Sequence, residues 1–228
     1  MFLVVIQLGA ILAVVVLFRG RLWPFTTPSN GWIRKDTFLM WFKTPAACIP
    51  AAVVGLLFDD KINELFYNYW TVAAALIIFG ILFIVIENRN KTLRPKINSI
   101  AEITWKAAFL VGIFQLIAAV FPGTSRSGAT ILGGILIGMS RVTAAEFTFF
   151  LAVPVMLGAS LLKLVKFGFV FTSSELVILL TGMIVAFVVS ILVIKFLLSY
   201  IRRHDFKIFG WYRILLGAVV LGYFLVVQ

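Results

Sequence analysis

Apolar residues in this chain occur in long blocks that short polar segments separate. The blocks cover residues 2–18, 37–58, 69–86, 107–139, 143–165, 175–200 and 208–227. Apart from 107–139, they have about the 17–25 residues that a helix needs to cross roughly 30 Å of hydrocarbon. No segment shows the ten-residue alternation of a membrane β-barrel. The pattern predicts an all-α polytopic membrane protein, one integral membrane domain over 1–228, with about six transmembrane helices.

The block 107–139 differs from the others because a polar stretch, Phe121-Pro-Gly-Thr-Ser-Arg-Ser-Gly-Ala-Thr130, interrupts it. The arm before Pro122 has about fifteen apolar residues, and the arm over 129–139 would be about 16 Å long at 1.5 Å per residue. Both arms are short for a full transmembrane span, although a pair of full spans remains an alternative. We expect a re-entrant helix–loop–helix hairpin over about 105–139, with its tip within the membrane or near its far side.

Charged residues follow an alternating order between the blocks. Segments 19–36, 87–106, 140–142 and 201–207 are basic, whereas 59–68 and 167–174 are neutral or acidic. The positive-inside rule therefore puts the basic set in the cytoplasm and the C-terminus outside.

Composition narrows the class of protein further. The chain is 62% hydrophobic and 13% charged, against about 45–50% and about 25% in soluble domains. The net charge of +11 does not indicate nucleic-acid binding, because the basic residues form no patch along one face. The single cysteine, Cys48, excludes an internal disulfide and is expected to be a buried structural thiol. The single histidine, His204, excludes a multi-histidine metal site.

The polar stretch has the residues of a helix break followed by a new helix. Pro122 cannot continue the first helix, and Gly123 allows the chain to turn with positive φ. Ser127 is a good N-cap for a second short helix that begins near Gly128. The start of such a helix offers free backbone N–H groups, which bind phosphate.

Arg126 is the only charged residue between Lys106 and Arg141. Its guanidinium has a planar donor fork that matches phosphate oxygens, and the hydroxyls around it add further donors. An intramembrane arginine is a functional hypothesis by default; the alternative is a loop-tip arginine that snorkels to lipid headgroups. Gln115, one or two turns earlier, is expected to orient substrate or a water, or to form a helix–helix hydrogen bond.

Two motifs of soluble enzymes do not fit this stretch. A nucleotide-binding P-loop requires a lysine where Ala129 stands, and no buried strand precedes it. The G-x-S-x-G elbow of serine hydrolases has a different spacing, and no histidine lies near in sequence.

The whole stretch 121–130 resembles the second signature of the undecaprenyl-diphosphate phosphatase family, the bacitracin-resistance proteins. Residues 5–13 resemble a stretch early in that family. Ser140-Arg141 and residues 145–149 and 151–154 resemble the segment that follows the second signature. The likeness extends over essentially the full chain.

This resemblance implies a multi-pass hydrolase of the bacterial inner membrane. It would convert undecaprenyl diphosphate to undecaprenyl phosphate and inorganic phosphate, which recycles the lipid carrier for peptidoglycan synthesis and confers bacitracin resistance. It implies six spans and two re-entrant hairpins related by an inverted repeat, with a site that opens to the exterior. The implied partners are a polyprenyl diphosphate lipid and membrane lipids, without nucleic acid; a homo-oligomer stays open.

The predicted site residues come from the motif and from this resemblance. Three are expected to be catalytic and five to bind substrate: Arg126, Ser125 and Ser127, and then Gly123, Thr124, Gly128, Thr130 and Gln115.

One part of the family pattern has no counterpart in the sequence. The first family signature, Glu-x-x-x-Glu followed by Pro-x-Ser-Ser-x-x-His, is expected before the segment that matches residues 2–13, and therefore before Met1. The resemblance implies a divalent cation, Mg or Ca, held by these carboxylates, so no metal ligand is predicted in this chain. A start codon placed too late, with about forty residues missing, would explain the difference. Two alternatives are a transporter or flippase of an anionic lipid or solute, and a truncated, non-catalytic pyrophosphate-lipid binder.

Overall fold

Most of the described backbone is helical in this computed structural model, which describes residues 6–25, 34–90, 93–167 and 172–227. Nine α-helices lie in these ranges: α1 Gln7–Leu17, α2 Arg19–Leu22, α3 Lys35–Phe66, α4 Tyr69–Asn90, α5 Trp105–Val120, α6 Arg126–Leu136, α7 Arg141–Phe167, α8 Ser173–Arg203 and α9 Lys207–Val227. A 3₁₀ turn, Ile100–Glu102, precedes α5. The predicted all-α polytopic membrane fold is confirmed.

Five helices in the described ranges are long and apolar enough to cross a membrane. Their candidate spans are Thr37–Phe58, Tyr69–Asn90, Arg141–Leu162, Ser174–Arg203 and Lys207–Val226. They coincide with five of the six predicted transmembrane helices. The sixth, 2–18, falls on α1, which has 11 residues in its described part; Met1 and the four residues after it lie outside the description.

The interrupted block 107–139 forms two short helices. The first, α5, has 16 residues and ends at Val120, and the second, α6, has 11. At 1.5 Å per residue α6 is about 16 Å long, too short to cross a bilayer. The lengths agree with the predicted hairpin, whose re-entrant placement in the bilayer stays a prediction.

The chain divides into two compact units. One contains the described residues up to Pro45 together with Phe149–Tyr200, and the other contains Ala46–Thr148 together with the described residues from Ile201 onward. Within the first unit, the Phe18 ring at the end of α1 meets the Phe150 ring edge-on at 5.2 Å between centroids. Every contact of the candidate site described below lies within the second unit.

Glycines let α4 and α9 approach closely in the second unit. A Cβ on Gly80 would lie 2.7 Å from the Gly210 carbonyl oxygen, and a Cβ on Gly210 would lie 2.7 Å from that of Gly80. Small residues of this kind allow two membrane helices to make backbone contact. On the hairpin side, α4 contacts the tip through Val72 and the start of α6 through Phe83.

The end of α6 is tied to the segment that follows α4. The backbone N–H groups of Lys96 and Ile97 both donate to the Gly138 carbonyl, at 2.8 and 3.0 Å, and the N–H of Ser140 donates to the carbonyl of Ile97 at 2.8 Å. Close by, the single Nε–H of Arg141 is shared between the two oxygens of the buried Glu87 carboxylate, at 3.0 and 2.9 Å, and Arg141 Nη2 also donates to Glu87 Oε2. These contacts hold the hairpin at the end opposite to its tip.

Gly123 forms the turn at the tip, and the structure confirms its predicted positive φ. Its φ is +89°, and a Cβ there would lie 2.6 Å from the Val72 carbonyl oxygen in α4. Both the backbone conformation and the close approach therefore require glycine.

Substitution of Gly123 by alanine is expected to destabilise the protein by at least about 2 kcal/mol, because a left-handed backbone and a steric clash add together. Thermal unfolding in detergent measures the change. Gly158→Ala is the matched control, since a Cβ on Gly158 meets nothing within 4 Å; there a gain of up to about 1 kcal/mol is expected. Equal effects of the two substitutions would contradict this account of the turn.

Candidate functional site

Ser125 caps the helix that follows the tip of the hairpin. Its backbone is extended, and its Oγ accepts a hydrogen bond from the Gly128 N–H at 3.1 Å. The predicted cap at Ser127 is therefore wrong by two positions. The helix begins at Arg126, so Ser127 already lies in its first turn, whereas a cap needs a non-helical backbone. The Ser127 hydroxyl instead lies 3.0 Å from the Ser125 hydroxyl.

This earlier start places Arg126 at the first position of α6. The guanidinium and the first-turn N–H groups of Arg126 and Ser127 therefore belong to one helix end. Such N–H groups have no intrahelical partner, and the helix dipole makes the same end positive. Arg126 and Ser127 are both exposed. The arrangement offers donors to an oxyanion from a charged side chain and from the backbone together.

Thr124 lies just before this helix end, and its hydroxyl is unused. The residue is only 7% exposed, and its Oγ1 has no hydrogen-bond partner. A buried hydroxyl without a partner is costly. An oxyanion bound at the tip would supply the missing acceptor.

Thr130 supports the first turn of α6 from below. It is 1% exposed, and its hydroxyl donates to the carbonyls of Arg126 and Ser127, at 3.0 and 3.1 Å. Thr148 of α7 lies 2.9 Å from the same oxygen. The Thr130 hydrogen is directed to the carbonyls, so the Thr148 hydroxyl donates to Thr130. These bonds fix the orientation of the turn; a direct contact of Thr130 with substrate stays a prediction.

Gln115 lies buried on α5, the helix that leads directly to the tip. It is 2% exposed, its side-chain amide is hydrogen-bonded with the thiol of Cys48 on α3, and its Oε1 has no partner. The charge of Arg126 is near enough to act on the same thiol. The predicted burial of Cys48 is confirmed. Gln115 and Arg126, which are eleven positions apart in sequence, thus share a neighbour on a third helix.

Arg213 on α9 is a residue that the sequence analysis missed. Its Nη1 is buried without a hydrogen-bond partner, and its guanidinium carbon lies 6.0 Å from the centre of the Phe83 ring. The same ring packs against Gly128, where an added Cβ would lie 3.3 Å from it. An arginine inside the apolar block 208–227 was the available signal, because intramembrane charges mark functional sites.

The residues around Arg126 suit an anion and do not suit a divalent cation. Guanidinium, hydroxyl and N–H groups predominate, and no carboxylate is among them. Within the described ranges, no three His, Cys, Asp or Glu side chains come together. Magnesium and calcium require several oxygen ligands, usually with carboxylates among them.

The family resemblance implies carboxylates for a cation, which the described residues around Arg126 do not supply. Their placement, and the metal that they would hold, stay predictions.

The sequence of this chain is similar to a family profile and to several known proteins. The profile of the family described as "Bacitracin resistance protein BacA" matches residues 1–219. The chain is 66% identical to an undecaprenyl-diphosphatase of Desulfitobacterium hafniense over 224 residues, which is 98% of this chain and 81% of that protein. It is 66% identical to undecaprenyl-diphosphatase 1 of Clostridium acetobutylicum over 226 residues, 99% of this chain and 82% of the relative. An undecaprenyl-diphosphatase of Lachnoclostridium phytofermentans is 60% identical over 228 residues, 100% and 83% of the two chains.

Proposed function

The chain belongs to the BacA family of bacitracin resistance proteins, and from this premise we propose that it is an undecaprenyl-diphosphatase. It hydrolyses undecaprenyl diphosphate to undecaprenyl phosphate and inorganic phosphate. This reaction returns the lipid carrier to peptidoglycan synthesis and underlies bacitracin resistance.

The observation that carries the proposal is the position of Arg126 at the start of α6, inside a multi-pass membrane protein. A lipid diphosphate needs an anion site that a membrane-embedded headgroup can reach. The guanidinium provides a permanent charge and a bidentate fork, and the capped helix end provides N–H donors. The orphaned hydroxyl of Thr124 provides one more.

The same groups support the reaction because they face the charge that moves during phosphoryl transfer. As the bridging P–O bond breaks, negative charge shifts towards the leaving undecaprenyl phosphate oxygen. Fixed donors around the diphosphate stabilise that charge without reorganising. We assign Arg126 to substrate and transition-state binding, with Ser125 and Ser127 beside it, and Gly123 and Gly128 to the close backbone approach.

A divalent cation has no ligand set among the described residues of this site, so no step is assigned to one here. The chain's own groups bind and orient the diphosphate and stabilise its charge. Carboxylates for a cation would have to come from outside these residues.

Contacts at the junction of α3 and α4 support a site near the exterior face of the inner membrane. Gly123 packs against Val72, which lies one turn after the start of α4, and the Phe121 ring meets the Phe66 ring at 5.0 Å. Phe66 lies within the acidic segment 59–68 and Val72 lies just after it, and the positive-inside rule puts this segment outside. We infer the same side for the C-terminus.

The test is phosphate release from undecaprenyl diphosphate by the protein in liposomes, with sealed vesicles used to follow movement of the lipid in parallel. The expected result is release of inorganic phosphate that depends on Arg126. Movement of the lipid without release would favour a flippase instead, and tight binding without either would favour a non-catalytic binder. Each of those two outcomes would contradict the proposal.

A further inference from the structure

The buried Gln115 side chain has a hydrogen-bond acceptor without a partner, on the helix that leads to the tip of the hairpin. Its Oε1 has no partner, although the residue is only 2% exposed. Leaving a buried acceptor unpaired costs free energy, so such a group in a site indicates that a ligand completes it. The fully ionised oxygens of a diphosphate are acceptors themselves and do not satisfy it.

Contacts with α3 hold this acceptor in place. A Cβ on Gly112 would overlap the carbonyl of Ala47, so α3 and α5 touch backbone to backbone one turn from Gln115. Cys48 follows Ala47 and is hydrogen-bonded with the Gln115 amide. The thiol occupies the N–H side of the amide, which leaves Oε1 free. Cys48 is therefore a positioning residue for the Gln115 carbonyl.

We propose that Gln115 Oε1 accepts a hydrogen bond from the oxygen that attacks the terminal phosphorus, first as water and then as the P–OH of product phosphate. This deepens and rests on the proposed diphosphatase function. Water is an O–H donor, whereas the Arg126 guanidinium and the N–H groups at the start of α6 are donors that suit the phosphate oxygens. Among the oxygens of the diphosphate and of the attacking water, only the water oxygen carries hydrogen, and the acceptor selects it.

The step balances without a base from the chain. A bond forms between the water oxygen and the terminal phosphorus, and the bridging P–O bond breaks with its electron pair on undecaprenyl phosphate. One water proton stays on the new P–OH, and the other passes to an oxygen of the same phosphate. A substrate trianion and water thus become a dianionic undecaprenyl phosphate and H₂PO₄⁻.

The proposal predicts a preference that does not depend on turnover. Inorganic phosphate keeps a P–OH at neutral pH, whereas sulfate has no hydrogen to donate. Phosphate is therefore expected to bind more tightly than sulfate, by about tenfold for one hydrogen bond. Thermal shift of the full chain in detergent, titrated with each anion at constant ionic strength, measures both affinities.

Gln115→Met removes the acceptor and keeps the side-chain length. We expect phosphate affinity to fall about tenfold, with sulfate affinity unchanged, and the rate of phosphate release at saturating substrate to fall by at least the same factor. Unchanged sulfate binding also reports that the variant is folded. Cys48→Ala is expected to lower the preference for phosphate over sulfate in part, because the Gln115 amide is no longer oriented. Cys48→Ser is expected to restore most of that preference.

The outcomes separate this inference from the function on which it rests. A preference for phosphate that is the same in the wild type and in Gln115→Met overturns the inference, even if Arg126→Ala abolishes binding of both anions. Loss of turnover in Gln115→Met without any change in that preference overturns it too. If the wild type binds neither anion, or Arg126→Ala binds both undiminished, the proposed function itself fails. If Gln115→Met does not fold, the ratio of phosphate affinity to sulfate affinity is compared between Cys48→Ala and Cys48→Ser instead. An equal ratio in these two variants and the wild type overturns the inference.

Discussion

Replacement of Arg126 by alanine is expected to lower kcat/KM for phosphate release from undecaprenyl diphosphate by about 10²–10³. One preorganised donor to developing charge contributes roughly this factor, and here the guanidinium is the only charged group at the start of α6. Arg126→Lys keeps the charge and loses the planar fork, so an intermediate loss of about tenfold is expected. Initial rates over a range of lipid concentrations in mixed micelles measure kcat and KM separately.

Arg202→Ala is the matched control for the loss of one positive charge. Arg202 lies exposed in the last turn of α8, in a segment predicted to face the cytoplasm. A change of less than about twofold is expected, because exposed charges outside a site contribute little. Undiminished hydrolysis by Arg126→Ala, or equal losses in both variants, would remove Arg126 from the mechanism.

Breakage of the Glu87–Arg141 ion pair is expected to produce the largest loss of stability. The Glu87 side chain is fully buried and that of Arg141 is 29% exposed. Glu87→Ala leaves the arginine without its partner, and the loss of one member of a buried pair costs about 3–5 kcal/mol. We expect a correspondingly lower Tm in detergent for Glu87→Ala, and a partial recovery in the double variant Glu87→Leu, Arg141→Leu, in which neither charge remains.

The pair Lys207–Asp205 provides the comparison. Its charged atoms are 3.8 Å apart, and both side chains are partly exposed, at 24% and 29%. Asp205→Asn is expected to cost less than about 1 kcal/mol. If Glu87→Ala and Asp205→Asn lower Tm equally, burial does not set the strength of the Glu87 pair, and its role as the anchor of the hairpin would be wrong.

Local features of the sequence explain why the helices and the turn could be predicted. Apolar blocks of membrane length have few alternatives to a helix, since every backbone N–H and C=O in hydrocarbon must be satisfied internally. Pro122 and Gly123 interrupt the block with residues that restrict or free the backbone. Arg126 indicates a functional site because a charge is rare in such a block. None of these inferences needs knowledge of a distant part of the chain.

The cap of α6 shows where local reasoning becomes ambiguous. Ser125 and Ser127 are both good N-caps by residue type, and the sequence does not distinguish them. The choice of Ser125 is accompanied by contacts from other helices: Phe83 packs against Gly128, and Thr148 bonds to Thr130. With these contacts, α6 begins at Arg126, one residue before Ser127. The residue at which the helix of the anion site begins therefore depends on tertiary packing.

By itself, the amino-acid sequence determined that this protein is a helical membrane protein, and it predicted an anion site around Arg126 in the polar interruption of its longest apolar block. Those conclusions follow from hydropathy and backbone chemistry, which act within about one helix length. Only the tertiary structure brought Cys48 to Gln115, Arg213 to Phe83, and Arg141 to Glu87. Such pairs depend on which helices pack together, and in hydrocarbon many faces of an apolar helix are chemically equivalent.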